Sequence, residues 1–133
     1  MIYILLIGLA FGSFVNALVW RIRTRRKIAK ARSMCVHCKE QLQWFDLIPV
    51  FSWLWLRGKC RYCSKSFSVQ YPLVELLVGL LFMYSYLHLN PADTREWLML
   101  ILWYGQITGL VALAIYDMRW KLLPSMIMYP LIG

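Results

Sequence analysis

Charged residues are scarce in this chain, 16% of 133 residues against about a quarter in soluble domains, and only six are acidic. Whole segments go without charge. Met1–Trp20 has none, Trp97–Tyr116 has none over 20 positions, and Pro72–Leu89 holds only Glu75. With 61% hydrophobic residues gathered in blocks, that scarcity excludes disorder and argues against a water-soluble globule. Nor does positive charge precede the first apolar block, as a cleaved secretory signal requires; the Lys and Arg follow it. Residues 1–20 are therefore expected to remain as a membrane anchor.

The uncharged blocks have spanning length. A helix of 20 residues rises about 30 Å, the thickness of the hydrocarbon core. The sequence predicts an all-α polytopic membrane protein with helices over 2–20, 72–89 and 97–116. Residues 124–133 are apolar but too short to cross, and read as the start of a fourth helix cut off. Three regions follow: the first helix in 1–20, a loop over 21–71, and a membrane domain over 72–133. Of 15 Lys and Arg, 12 lie between Arg21 and Lys65, with only Glu40 and Asp46 as acids among them. The positive-inside tendency puts that loop in the cytoplasm and the N-terminus outside. Arg119 and Lys121 fall inside again, and Arg95 alone is external.

The basic run from Arg21 to Arg32 reads as a topology anchor on the lipid bilayer rather than a nucleic-acid site, so no nucleic-acid partner is expected. Beyond it, Cys35-Val36-His37-Cys38 and Cys60-Arg61-Tyr62-Cys63 hold the only four cysteines, 21 residues apart. Two such knuckles can set four thiolates tetrahedrally around Zn²⁺, a zinc-ribbon-like loop; disulfides are the alternative, disfavoured in a reducing cytosol. His37 is then left over, exposed or behind the ligands. Between the knuckles, residues 44–56 are too apolar for a free loop, and their Trp residues suit the headgroup layer. The picture is a metal-stapled hairpin folded against the membrane.

Gly8 and Gly12, and again Gly105 and Gly109, stand four apart, a spacing that lets helices approach closely within the chain or between copies. Ser13 and Asn16 should face protein. Acids in or beside spans default to functional hypotheses, and two qualify. Glu75 lies one turn into the second span, where the helix dipole favours an anion. Asp117 is expected to terminate the third, where the dipole disfavours one, and this suits a group that holds or shares a proton. An ordinary interfacial Asp paired with Arg119 or Lys121 is the competing reading.

Taken in order, Gly12-Ser13-Phe14-Val15-Asn16, the Cys knuckles, Asp46-Leu47-Ile48-Pro49-Val50, Arg57-Gly58-Lys59-Cys60, Tyr71-Pro72-Leu73-Val74-Glu75 and Asp117-Met118-Arg119-Trp120-Lys121-Leu122-Leu123-Pro124 resemble the N-terminal half of the type IV prepilin peptidases. The resemblance implies a bacterial inner-membrane aspartic peptidase that removes the leader of prepilin or pseudopilin substrates. It also implies N-methylation of the new N-terminus with S-adenosylmethionine. By motif, Asp117 is the first catalytic aspartate, Gly58 and Lys59 belong to the methylation function, and Cys35, Cys38, Cys60 and Cys63 bind metal. Two departures stand out. Ser125 occupies a place where the family has an acid, and the Gly-x-Gly-Asp motif of the second aspartate does not occur. A two-carboxylate mechanism needs one group as base and one protonated, so this sequence alone is expected to be inactive as a protease, the front part of a longer enzyme. A homodimer pairing two copies of Asp117 is the minor alternative. The competing functions are a zinc-containing membrane methyltransferase or pilin docking module without proteolysis, and a non-enzymatic membrane adaptor.

Overall fold

The computed structural model describes residues 1–24, 34, 35 and 37–120. The rest of the basic run, residues 25–33, and the expected fourth stretch 124–133, with Lys121 and Ser125, lie outside the described residues. The order of elements is α1 (Ile2–Arg23), a 3₁₀ turn at Trp44–Leu47, α2 (Phe51–Trp55), α3 (Gln70–Leu89) and α4 (Thr94–Trp120). No strand forms among the described residues, only two isolated bridges. Helices α1, α3 and α4 are each long and apolar enough to cross a membrane. The expected all-helical, three-span architecture is what the chain adopts.

Helices α1 and α4 run past their uncharged blocks into flanking charged residues, and α3 starts two residues before its block, at Gln70. Backbone hydrogen bonding does not stop where the apolar tract stops, and long basic side chains can reach water from the last turn. Asp117 consequently sits inside α4 rather than ending it, which corrects the expected boundary. Pro72 is tolerated in α3 because it falls in the first turn, where no intrahelical N–H is needed. The helix ends at Asn90, a left-handed residue whose N–H donates to Tyr86 O at 2.9 Å.

Helices α1 and α3 pack antiparallel at backbone contact. A Cβ on Gly8 would lie 2.7 Å from Gly79 Cα, and one on Gly12 only 2.5 Å from Glu75 Cα. Four residues further along, buried Asn16 donates from Nδ2 to Tyr71 O at 3.0 Å. These three levels give a constant register, so a hydroxyl-bearing or amide side chain on α1 meets the first turns of α3. Small residues here do what they do in lipid, where close approach replaces the hydrophobic drive.

Helix α4 joins differently. The Phe82 and Tyr104 rings stack at 3.9 Å, Tyr104 OH donates to Phe82 O at 3.0 Å, and Trp103 Nε1 donates to Ser85 Oγ at 3.0 Å. Val15, Val19, Val74, Val78, Ile107 and Ile115 fill the core between the three helices. Leu6, Leu80, Ile101 and Leu102 point outward and exposed, the apolar exterior that a lipid-facing bundle presents. A Cβ on Gly105 would meet nothing within 4 Å among the described residues, so Gly105 serves no packing among them.

Candidate functional site

The two cysteine knuckles are built alike, bond for bond. Cys35 N–H donates to Glu40 O and Lys39 N–H to Cys35 O; Cys60 N–H donates to Lys65 O and Ser64 N–H to Cys60 O. Lys39 and Ser64 occupy the same place in each and both have positive φ, 59° and 57°. Isolated bridges Met34–Gln41 and Lys59–Ser66 close the two loops at equivalent positions. The repeat turns four sulfurs toward one point.

All four Sγ atoms lie within 4.8 Å of one another, with Cys35–Cys63 at 3.8 Å and Cys38–Cys60 at 4.0 Å. Four thiolates at the usual Zn–S distance stand roughly 3.8 Å apart along a tetrahedral edge, so the cluster fits a tetrahedral metal ion. Burial pushes the Cys35 thiol up, but N–H groups of Cys38 and His37 and the neighbouring thiols outweigh it and bring it down to about 7. Cys38 accepts a lowering bond from Glu40, yet desolvation and the three neighbouring thiols push it up to about 11. One sulfur ionises early and makes the next harder to ionise, a conflict a cation would relieve. His37 is exposed and only its backbone touches a sulfur, at 3.4 Å to Cys35 Sγ.

Between the knuckles the chain returns to the helices. Asp46 accepts from Arg61 Nε at 3.1 Å and Nη2 at 3.0 Å, and Gln43 N–H caps its other oxygen at 3.3 Å. This ties the 3₁₀ turn to the second knuckle. At Val50 the backbone takes φ 61°, ψ −50°, and Phe51 N–H reaches Pro49 O at 2.6 Å, a γ-turn and a strained conformation for a β-branched residue. The Val50 N–H, turned inward by that kink, donates to Glu75 Oε2 at 2.6 Å. Ser13 holds the same carboxylate through its hydroxyl.

Helix α2 then ends in a Schellman motif, with Gly58 N–H on Trp53 O at 2.8 Å and Arg57 N–H on Leu54 O at 3.1 Å. Gly58 has φ 69°, and a Cβ there would stand 2.8 Å from Trp53 Cζ2. The indole therefore lies flat against the glycine. Trp53 faces inward, unlike Trp44 and Trp55, which are exposed as the headgroup reading expects.

The result is a cavity where loop and helices meet, lined among others by Asn16, Trp20, Trp53, Lys59, Tyr71 and Glu75. Of the residues singled out in the sequence, the four cysteines come together, and Gly58 and Lys59 lead directly into Cys60 with Lys59 on the cavity wall. Asp117 is exposed on α4 and does not line this cavity. The Val50–Glu75 bond and the inward Trp53 were not legible beforehand. An acid inside an otherwise uncharged span was the one available signal.

The bacterial peptidase A24 N-terminal domain family matches residues 6–89. A prepilin leader peptidase/N-methyltransferase of Myxococcus xanthus is 46% identical over 81 residues, covering 61% of this chain and 24% of the relative. Those of Stutzerimonas stutzeri and Dickeya chrysanthemi are 32% and 36% identical, over 96% and 97% of this chain and 50% and 52% of theirs. The chain thus spans between about a quarter and half the length of these relatives. No solved structure matches it.

Proposed function

The chain belongs to the bacterial peptidase A24 N-terminal domain family of prepilin leader peptidases/N-methyltransferases, and from that premise we propose that it forms the front part of an enzyme that trims and methylates prepilin-like proteins. The observation that supports this most is near-complete coverage of the chain by two such relatives. In this reading the protein sits in the bacterial inner membrane, N-terminus outside and Cys loop in the cytoplasm. The 12 basic residues of the loop favour that orientation.

Asp117 is proposed as one of two carboxylates that activate water at the leader junction. Water adds to the scissile carbonyl, the C–N bond breaks, and the departing amine takes a proton. The second carboxylate has no Gly-x-Gly-Asp candidate in this sequence. Glu75 is already engaged by Val50 and Ser13, which speaks against it as that partner. Cys35, Cys38, Cys60 and Cys63 would hold structural Zn²⁺, fastening the two ends of the hairpin. Gly58 and Lys59 are assigned to methylation. When bound, S-adenosylmethionine supplies the methyl, a C–N bond forming as the C–S bond breaks and the amine losing a proton.

Incubating the intact enzyme with a prepilin and reading the product by mass spectrometry tests the proposal. Loss of the leader and gain of one methyl group is the expected result. An unaltered prepilin, with a pilin of matched species as substrate, would refute it.

A further inference from the structure

We propose that the outer face of α2, made by Phe51, Leu54 and Trp55, is seated in the lipid leaflet beside the start of α3, with Arg57 drawing anionic headgroups over it. The proposal rests on the spanning helices and is independent of the enzymatic reading. Around this short helix the side chains divide in two. Ser52, Trp53 and Leu56 line the cavity between hairpin and helices. Phe51, Leu54 and Trp55 share the opposite side, at the spacing of one helix face, and are 64%, 59% and 85% exposed. An apolar face of that kind marks an interaction surface.

Depth fixes what meets it. Helix α3 has 20 residues and rises about 30 Å, no more than the hydrocarbon core, so its whole length is needed to cross. Glu75 lies roughly 7 Å inside its first residue, Gln70, and Val50 N–H is bonded to that carboxylate at 2.6 Å. Phe51, the next residue, therefore starts α2 on the lipid side of the point where α3 enters the bilayer. On α3 itself, Leu73, Leu76 and Leu77 around that level are exposed and apolar as well.

Charge complements the headgroups. No acid occurs between Asp46 and Glu75, a stretch that holds Arg57, Lys59, Arg61 and Lys65. Arg61 is paired with Asp46, whereas Arg57 is exposed two residues after Trp55, where α2 has ended. Apolar side chains inserted, with an indole and a basic group at the rim, are the arrangement of a helix lying in the membrane surface. Because the other side of this same helix walls the cavity, the leaflet holds that wall in place.

The test puts photoreactive p-benzoyl-phenylalanine in place of Phe51, Leu54 or Trp55, one at a time, in the intact enzyme. Each protein is reconstituted into vesicles of equal phosphatidylglycerol and phosphatidylcholine, illuminated and read by mass spectrometry. Lipid adducts should form at all three positions, with phosphatidylglycerol preferred about fivefold, the partition given by one basic residue at the surface. Arg57→Gln should abolish that preference and leave the adducts. Each replacement exchanges one exposed side chain for another, melting reports folding, and any two of the three positions suffice. Crosslinks to another part of the enzyme or to a second copy would overturn the proposal, as would the absence of any adduct. Adducts without preference for the anionic lipid, or a preference unmoved by Arg57→Gln, would overturn the role of Arg57.

Discussion

Val50 N–H and the Glu75 carboxylate meet at 2.6 Å, joining the apolar middle of the hairpin to a helix pair that spans the membrane. Each residue needs the other. The strained γ-turn at Val50 turns its N–H out of the chain's own hydrogen bonding, and Glu75 is an acid in an otherwise uncharged span. Glu75 lies roughly 7 Å along α3 from Gln70, so the hairpin is pulled down alongside the helix rather than hanging from its end.

Removing that acceptor should be measurable. Glu75→Ala leaves the Val50 N–H unpaired and should destabilise by about 1–3 kcal/mol. Glu75→Gln retains an acceptor and should cost less. Thermal unfolding of both in detergent checks the order, and equal losses would show that the Val50 bond is not what matters.

Glycines in the two helical pairs should behave oppositely. Gly12→Ala puts a Cβ 2.5 Å from the Glu75 backbone and forces α1 from α3, a loss of about 1–3 kcal/mol. Gly105→Ala meets nothing within 4 Å and should stabilise by up to about 1 kcal/mol through helix propensity. Unfolding midpoints decide, and a destabilised Gly105→Ala would show that something beyond the described residues packs on that face.

Metal content follows from the sulfur cluster. Cys35→Ser should release the ion and loosen both knuckles, because the remaining three thiolates cannot close a tetrahedron. Elemental analysis of purified wild type should give one zinc per chain. Well-folded protein without metal would contradict the assignment.

The metal-free loop should have a pH optimum. Cys35 is lowered to about 7 from 9.0, so its contribution is present above 9 and lost as pH falls through 7. Cys38 is raised to about 11 from 9.0, so its contribution is present below 9 and lost as pH rises through 11. Stability of chelator-treated protein should therefore peak near pH 9, as followed by tryptophan fluorescence on heating. A monotonic profile would show that the sulfurs do not interact as placed.

Proteolysis is predicted to separate from stability at Asp117. In the intact enzyme Asp117→Asn should abolish leader removal with little change in melting, since the side chain is exposed. Gel analysis of prepilin processing checks this, and retained cleavage would remove Asp117 from the mechanism.

What the sequence made legible was periodic or local. Uncharged runs located the three spans because a bilayer tolerates little else, and the two Cys-x-x-Cys spacings located the sulfur cluster because each knuckle closes over six residues. Contacts between distant segments stayed hidden. Asn16 on Tyr71, Val50 on Glu75 and Arg61 on Asp46 are separated by 55, 25 and 15 residues, and no spacing announces them. Trp53 read like its neighbours because an indole at a headgroup and an indole against a glycine look the same in a string of letters. Helix ends were misjudged for a related reason: hydrophobicity marks where lipid stops, not where hydrogen bonding stops.

The helices are joined in two different ways, backbone to backbone between α1 and α3 and through side chains at α4. Glycine backbones in direct contact leave α1 and α3 no slack, so they act as a single rail. Helix α4 is held through side chains instead: a stacked ring pair, the Tyr104 and Trp103 hydrogen bonds to α3, and Arg119 Nε on Gln70 Oε1 at 2.9 Å. Losing the Tyr104 or Trp103 side chain should therefore loosen α4, the helix that carries Asp117, and leave the α1–α3 contact in place.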